Sequence, residues 1–140
     1  MRGQVALCDP SAEICRKVIC QLLPAKALLL VPHTTFGMDL GPGLSIKLDG
    51  AFASDVVGFE GMEQGKLKVV RQEYGGAVST RSLCDLRDGA VLNIRAGSFK
   101  AEAATTQAGT EVDKSADIQD YSSKRTFIKV IEAEVGEVDI

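Results

Sequence analysis

The sequence predicts an α/β domain in which a parallel sheet covered by helices gives way to an antiparallel β extension. Three features predict it. A helix-spaced apolar set leads directly into a continuous apolar run at residues 27–31, the pattern of a helix feeding a parallel strand. Leu40, Leu44 and Leu48 then repeat at i, i+4 and i+8, as on one face of a second helix. From residue 66 onward the chain changes to short β-like pieces divided by glycine-containing turns.

In chain order, the first helix is expected to open at Asp9-Pro10, with Asp9 as N-cap and Pro10 at the first helical position. Ile14, Val18, Ile19 and Leu22 recur at helical spacing with Cys15 beside them, and Pro24 ends the segment. Residues 27–31 read as a strand buried on both faces, hence parallel and covered by helices. A βαβ unit needs a strand before that helix; only residues 5–8 are placed to supply it, and the piece is short. The stretch from His33 to Asp39 reads as a polar turn, with Asp39 capping the second helix and Pro42 in its first turn, where proline is tolerated. Residues 54–59 are an expected strand and 61–65 a turn. Residues 66–72, 77–83 and 90–95 follow as β pieces, separated by Gly75-Gly76 and by Arg87-Asp88-Gly89, the latter a hairpin turn. Residues 100–125 have almost no large apolar group and read as a long surface loop; residues 126–135 read as a final strand.

Composition narrows the function classes. With 140 residues, 45% hydrophobic and 25% charged, the chain has the length and balance of one globular domain. Sixteen basic against nineteen acidic side chains leave a formal charge of −3, which argues against a nucleic-acid or anionic-membrane partner. The excess acid lies in the second half, and residues 132–140 hold four carboxylates and no base. There is no Trp and only 5% aromatic residues, so a base-stacking platform is unsupported. The longest apolar run, residues 27–32, is too short to cross a bilayer, and the polar opening Met1-Arg2-Gly3-Gln4 is not a secretory signal. Cys8, Cys15, Cys20 and Cys84 form no Cys-x-x-Cys pair. They read as small buried hydrophobes in a reducing, cytoplasmic compartment, with no metal site.

Few residues offer chemistry. His33, the only histidine, follows a parallel strand at its carboxyl end, where open α/β sheets place ligands, and Thr34, Thr35 and Asp39 are near it. No Gly-x-Ser-x-Gly elbow or second histidine accompanies it, so a hydrogen-bonded turn residue is favoured over a catalytic one. Gly37, Gly41 and Gly43 precede a helix and are candidates to cradle a nucleotide phosphate. Their spacing matches neither the dinucleotide fingerprint nor a Walker loop, and close helix–strand packing explains them equally well. Arg71, Arg81, Arg87 and Arg95 fall in the β-rich part. They would face an anion or a partner's carboxylates, or, as base rates favour, pair with Glu73, Asp85 and Asp88 on the surface.

Read in order, five segments resemble the N-terminal domain of the electron transfer flavoprotein alpha subunit. They are the run from Leu28 through His33-Thr34-Thr35-Phe36-Gly37-Met38-Asp39-Leu40; Ser54-Asp55-Val56; Val70-Arg71-Gln72-Glu73-Tyr74-Gly75-Gly76; Asn93-Ile94-Arg95-Ala96-Gly97-Ser98-Phe99; and the closing stretch from Val130 to Ile140. Met38 and Gly43 stand where that family usually has Arg, Gln72 and Ala96 where it has Pro, and Ala77 where it often has Asn.

The resemblance implies a nucleotide-binding, adenine nucleotide alpha hydrolase-like three-layer sandwich, and residues 1–140 as one partial domain lacking the glycine-rich domain that holds FAD. It implies a scaffold and subunit-interface domain, not an enzyme. In the whole heterodimeric flavoprotein, this domain would pack against the beta subunit while FAD carries electrons from acyl-CoA-type dehydrogenases to an acceptor. No cofactor is then expected on this chain alone. The implied partner contacts are Arg71, Tyr74, Gly75 and Gly76 in one turn and Arg95 and Phe99 in another. The rival readings are an AMP- or ATP-binding module of the same fold, with its site between His33 and Gly43, and a stand-alone interaction domain.

Overall fold

The computed structural model describes residues 11–101, 109–120, 122–126 and 128–129. Two helices and five strands follow in the order α1 (Ala12–Leu22), β1 (Leu28–Pro32), α2 (Thr35–Leu48), β2 (Ala51–Glu63), β3 (Lys66–Glu73), β4 (Val78–Asp85) and β5 (Ala90–Ile94). The strands form one mixed sheet in the order β1-β5-β2-β3-β4. The α/β class and the passage from parallel to antiparallel pairing are as expected.

Helix α1 is capped by Ser11, whose hydroxyl accepts from the Ile14 amide at 3.3 Å, rather than by Asp9; Asp9, Pro10 and residues 5–8 lie outside the described residues. Helix α2 starts five residues earlier than expected. Thr34, not Asp39, is its N-cap, accepting from the Gly37 amide at 3.1 Å. Pro42 consequently sits inside the helix, where it has no N–H to offer the Met38 carbonyl. Three glycines and a proline make this a poor helix by propensity. Tertiary packing overrides that: Leu40 and Leu44 are buried against Ala12 of α1, Val31 of β1 and Val91 of β5. Burial of a side chain such as Leu44 supplies about 1.5–3 kcal/mol.

Strand β1 is parallel to β5, as expected of a strand after a helix, but among the described residues it stands at the sheet edge and is not buried on both faces. Leu28 and Leu30 are 47% and 54% exposed; Leu29 and Val31, pointing the other way, pack under the helices. The largest departure concerns β5. The Arg87-Asp88-Gly89 turn does not make a hairpin. It releases the chain from β4 so that β5 inserts between β1 and β2, parallel to both. Ala90, Leu92 and Ile94 face one side of the sheet, in a cluster with Ala53, Val56, Val69 and Cys84; Val91 and Asn93 face α2. Both helices therefore pack on the same side of β5.

Strand β2 runs through the glycine at 61 that was expected to begin a turn, and the actual turn is at Gln64-Gly65, both at positive φ. Only β3 and β4 are antiparallel additions. The described part of the expected loop is exposed, with one short 3-10 turn at Ser115–Asp117. Thr126, Ile128 and Lys129 belong to no strand; the rest of the expected final strand lies outside the described residues, apart from these. No helix among the described residues is long and apolar enough to cross a membrane.

Candidate functional site

The carboxyl ends of β1 and β5 come together beside a bulge in β2, and each of the three strands delivers one ionisable side chain. His33 follows β1 and Arg95 follows β5, held level by hydrogen bonds from the His33 amide to the Ile94 carbonyl (2.7 Å) and from the Arg95 amide to the Val56 carbonyl (2.9 Å). Asp55 arrives by a β-bulge. Ala53 pairs with Leu92 and Val56 with Ile94, so β2 carries one residue more than β5 over this step. Asp55 takes up the excess in the left-handed region at φ 56°, a conformation that Asp tolerates better than most side chains.

The bulge aims the Asp55 carboxylate at Arg95, which grips it with two bonds, Nε to Oδ1 at 2.7 Å and Nη2 to Oδ2 at 2.5 Å. This charge-assisted hydrogen bond holds the Asp55 carboxyl below the usual carboxylate range against the opposing effect of burial, and pushes the Arg95 guanidinium up. The Gln72 Oε1 accepts a third bond from Arg95 Nη1 at 3.1 Å. His33 Nε2 stands 3.7 Å from Asp55 Oδ1, and its Nδ1 is buried with no hydrogen-bond partner among the described residues. Arg71 supports the bulge from beneath, donating from Nε to the Ser54 carbonyl (2.8 Å) and from Nη2 to the Ser54 hydroxyl (2.9 Å).

Chemically, this is a closed ion-pair network rather than a poised acid or nucleophile. Arg95 and Asp55 satisfy one another. His33 has the carboxylate nearby, but no hydroxyl or thiol is bonded to it among the described residues. A shallow groove of about 390 Å³ runs beside Arg95, with Leu30, Pro32, Ile94 and Phe99 along its walls. Phe99 stacks on Phe59 at 5.2 Å between ring centres.

The predicted phosphate glycines have another geometry. A Cβ at Gly37 would stand 1.9 Å from the Pro32 carbonyl oxygen, at Gly41 2.3 Å from Asn93 Oδ1, and at Gly43 2.9 Å from Arg16. The space beside each is filled by protein, and their use here is to let α2 close on β1, β5 and α1. Asp39 contacts Arg16, which donates to its carbonyl at 2.8 Å. At these three glycines the missing Cβ serves close packing of α2 rather than opening a space beside the helix. Nor is there among them a group of three or more His, Cys, Asp or Glu side chains suited to a metal. Cys15 and Cys20 are half-buried, Cys84 is buried, and all three are free thiols.

Of the arginines, Arg71 pairs with Glu73 at 3.8 Å and Arg87 with Asp85 at 2.8 Å, as base rates favoured, while Arg81 finds Glu60 and Arg95 finds Asp55. Asp88 faces Lys26 instead. The expected contact residues separate into two kinds. Arg71 and Arg95 are engaged internally. Tyr74, Gly75 and Gly76 form the exposed tip between β3 and β4, with three successive positive φ values and Tyr74 83% exposed. Asp55, Gln72 and Asn93 were not foreseen as site residues. The one available signal was an Asp inside a β-like stretch, where Asp is disfavoured unless a bulge receives it.

A family model described as "Electron transfer flavoprotein domain" matches residues 5–121. No curated protein matches the chain.

Proposed function

The chain belongs to the electron transfer flavoprotein domain family, and from that premise we propose that it acts as the N-terminal scaffold and subunit-interface domain of an alpha subunit. It is a component of an electron carrier rather than a catalyst. Its partner is the beta subunit, and the assembled heterodimer receives electrons from a dehydrogenase of the acyl-CoA type. FAD supplies the electron-carrying chemistry when bound. The flavin would be held in the assembled protein by other segments; the close packing of Gly37, Gly41 and Gly43 against Pro32, Asn93 and Arg16 is consistent with that reading.

The observation that carries the reading is the contrast between the two groups of polar residues. Those at the strand ends are engaged with one another, as catalytic groups awaiting a substrate would not be. By contrast, Tyr74 stands 83% exposed on a backbone that costs it energy. Strain kept at an exposed aromatic tip fits a surface shaped for a partner. Arg71 and Arg95 contribute by fixing the bulge and the turn from which that surface projects.

Mixing the purified chain with a beta subunit of the family tests this. A heterodimer in sedimentation velocity, with no flavin absorbance from the chain alone, is expected. A yellow preparation of the chain alone would refute the placement of the flavin, and absence of any complex would refute the partner. Isothermal titration with AMP and ATP is expected to give no heat.

A further inference from the structure

Strand β1 stands at the sheet edge among the described residues, with β5 on its inner side. The parallel ladder fixes which of its groups face outward. The Ala90 amide donates to the Ala27 carbonyl at 3.0 Å, and the His33 amide to the Ile94 carbonyl at 2.7 Å. Successive residues of a strand address opposite neighbours. Odd-numbered positions therefore bond to β5, and the amides of Leu28 and Leu30 point to the open side. The side chains of these two residues lie half-exposed on the face away from the helices. Pro32, next in that alternation, has no N–H to leave unpaired there. We propose that residues 5–8 pair with β1 along this edge as a parallel strand, completing a βαβ unit through α1.

Handedness, reach and composition select this segment over other occupants. Helices α1 and α2 pack on the same face, since Ala12 joins Leu40, Leu44, Val31 and Val91 in one buried cluster. The crossover from β1 through α2 to β2 steps over β5, toward the sheet centre. Parallel crossovers are right-handed in about 98% of cases, so two successive ones on a single face step in the same direction. A strand before α1 then belongs on the side of β1 away from β5, which is the open one. The tether is long enough. Ala12 packs in the same cluster as Val31, near the carboxyl end of β1, and the four steps from Cys8 to Ala12 span at most about 14 Å. Neighbouring strands are about 4.8 Å apart, so a parallel strand ending at Cys8 delivers the chain to α1 without strain. Finally, Val5-Ala6-Leu7-Cys8 is a continuous apolar run, the pattern of a strand in a parallel sheet. Its four residues suit the short β1, and no charge in it would meet the apolar edge.

Hydrogen exchange of the full chain, read by NMR, tests the proposal. The Leu28 and Leu30 amides are expected to exchange slowly, as those of Leu29 and Val31 do, and the backbone of residues 5–8 to show nuclear Overhauser contacts with β1. Deleting residues 1–8 leaves the Ser11 cap of α1 in place. It should speed exchange at Leu28 and Leu30 at least tenfold while Leu29 and Val31 stay protected by β5. If the shortened chain fails to fold, the contacts in the full chain decide. Their absence, or fast exchange at Leu28 and Leu30 in the full chain, would overturn the proposal. So would protection that survives the deletion or grows with protein concentration, since either would assign the edge to another occupant.

Discussion

The Asp55 carboxylate and the Arg95 guanidinium lock the bulge of β2 to the end of β5 through two bonds of 2.7 and 2.5 Å, across 40 residues of sequence. The pair is the principal tie between the two parallel strands above the last ladder bond, and it holds Asp55 in a backbone conformation that few side chains adopt.

Replacing Asp55 by Asn keeps the size and removes the charge. The cost is expected to be about 1–2 kcal/mol, at the lower end for a charged hydrogen bond because Arg95 is 39% exposed and water screens it. Asp55 titrates lower in the folded chain than its ordinary 3.8. Its stabilising contribution is therefore complete above that value and disappears as pH falls through the lower folded-state value. Urea unfolding at a series of pH values should show wild type and Asp55→Asn converging below about pH 4. A constant gap down to the lowest pH would show that the ion pair contributes nothing.

The contact between Gly41 and Asn93 makes a second prediction. Asn93 is fully buried; its Nδ2 donates to the Gly37 carbonyl at 2.8 Å, while its Oδ1 points at Gly41 with no hydrogen-bond partner among the described residues. Gly41→Ala places a methyl group 2.3 Å from that oxygen and should destabilise by about 1–3 kcal/mol despite the better helix propensity of Ala. In an Asn93→Ala background the methyl group has room, and the same change should become neutral or favourable. A thermodynamic cycle is expected to return a coupling of about 1 kcal/mol or more. Additive effects would mean that α2 moves away from the sheet freely.

These two relationships also mark how far the sequence was legible. Periodicity placed α1 and β1, because an apolar run between a helix and a polar turn admits few readings. It placed Leu40 and Leu44 in the core as well. The helix start differs because Asp39 is a better cap by type than Thr34, whereas Gly37 between them is helical only by virtue of what it packs on. Beta-5 was found but given the wrong neighbours. The mostly apolar run after Asp88-Gly89 looks alike in a hairpin and in the centre of a parallel sheet, and only the burial of both faces distinguishes them. Asp55 left the weakest trace. Its role depends on a bulge created by pairing with a strand more than thirty residues away, and no local pattern encodes that.

Tyr74 offers a test of whether the β3–β4 tip serves a partner. The residue has φ 53° and is 83% exposed, so it contributes little packing and some strain. Tyr74→Asn, which adopts that conformation more readily, should leave the melting temperature unchanged or slightly higher. The same variant should weaken association with a beta subunit at least tenfold if Tyr74 anchors the interface. Unchanged association would move the interface elsewhere on the domain; a large drop in melting temperature would mean that the tip is structural.

The last prediction concerns the segment that returns from the surface loop onto α1. Gln21 receives it through its side-chain carbonyl, which accepts from the Gln119 amide at 2.8 Å and from the Asp120 amide at 3.3 Å, while its Nε2 donates to the Asp120 carbonyl at 2.9 Å. Lys17 reaches the Asp120 carboxylate at 3.0 Å and the Ser122 carbonyl at 2.8 Å. Every one of these contacts is polar and exposed, so the segment should detach without unfolding α1. Gln21→Ala is expected to speed hydrogen exchange at the Gln119 and Asp120 amides and to leave the interior of α1 protected. The backbone and hydroxyl of Ser122, with Lys17, hold the Asp120 carboxyl down to about 2. Only the Lys17 part of this shift depends on docking: it favours the docked state above the ordinary value of 3.8 and is lost as pH falls toward about 2. In Lys17→Ala the carboxyl should titrate at a higher pH by NMR, and an unshifted midpoint would show that the segment does not rest on α1 in solution.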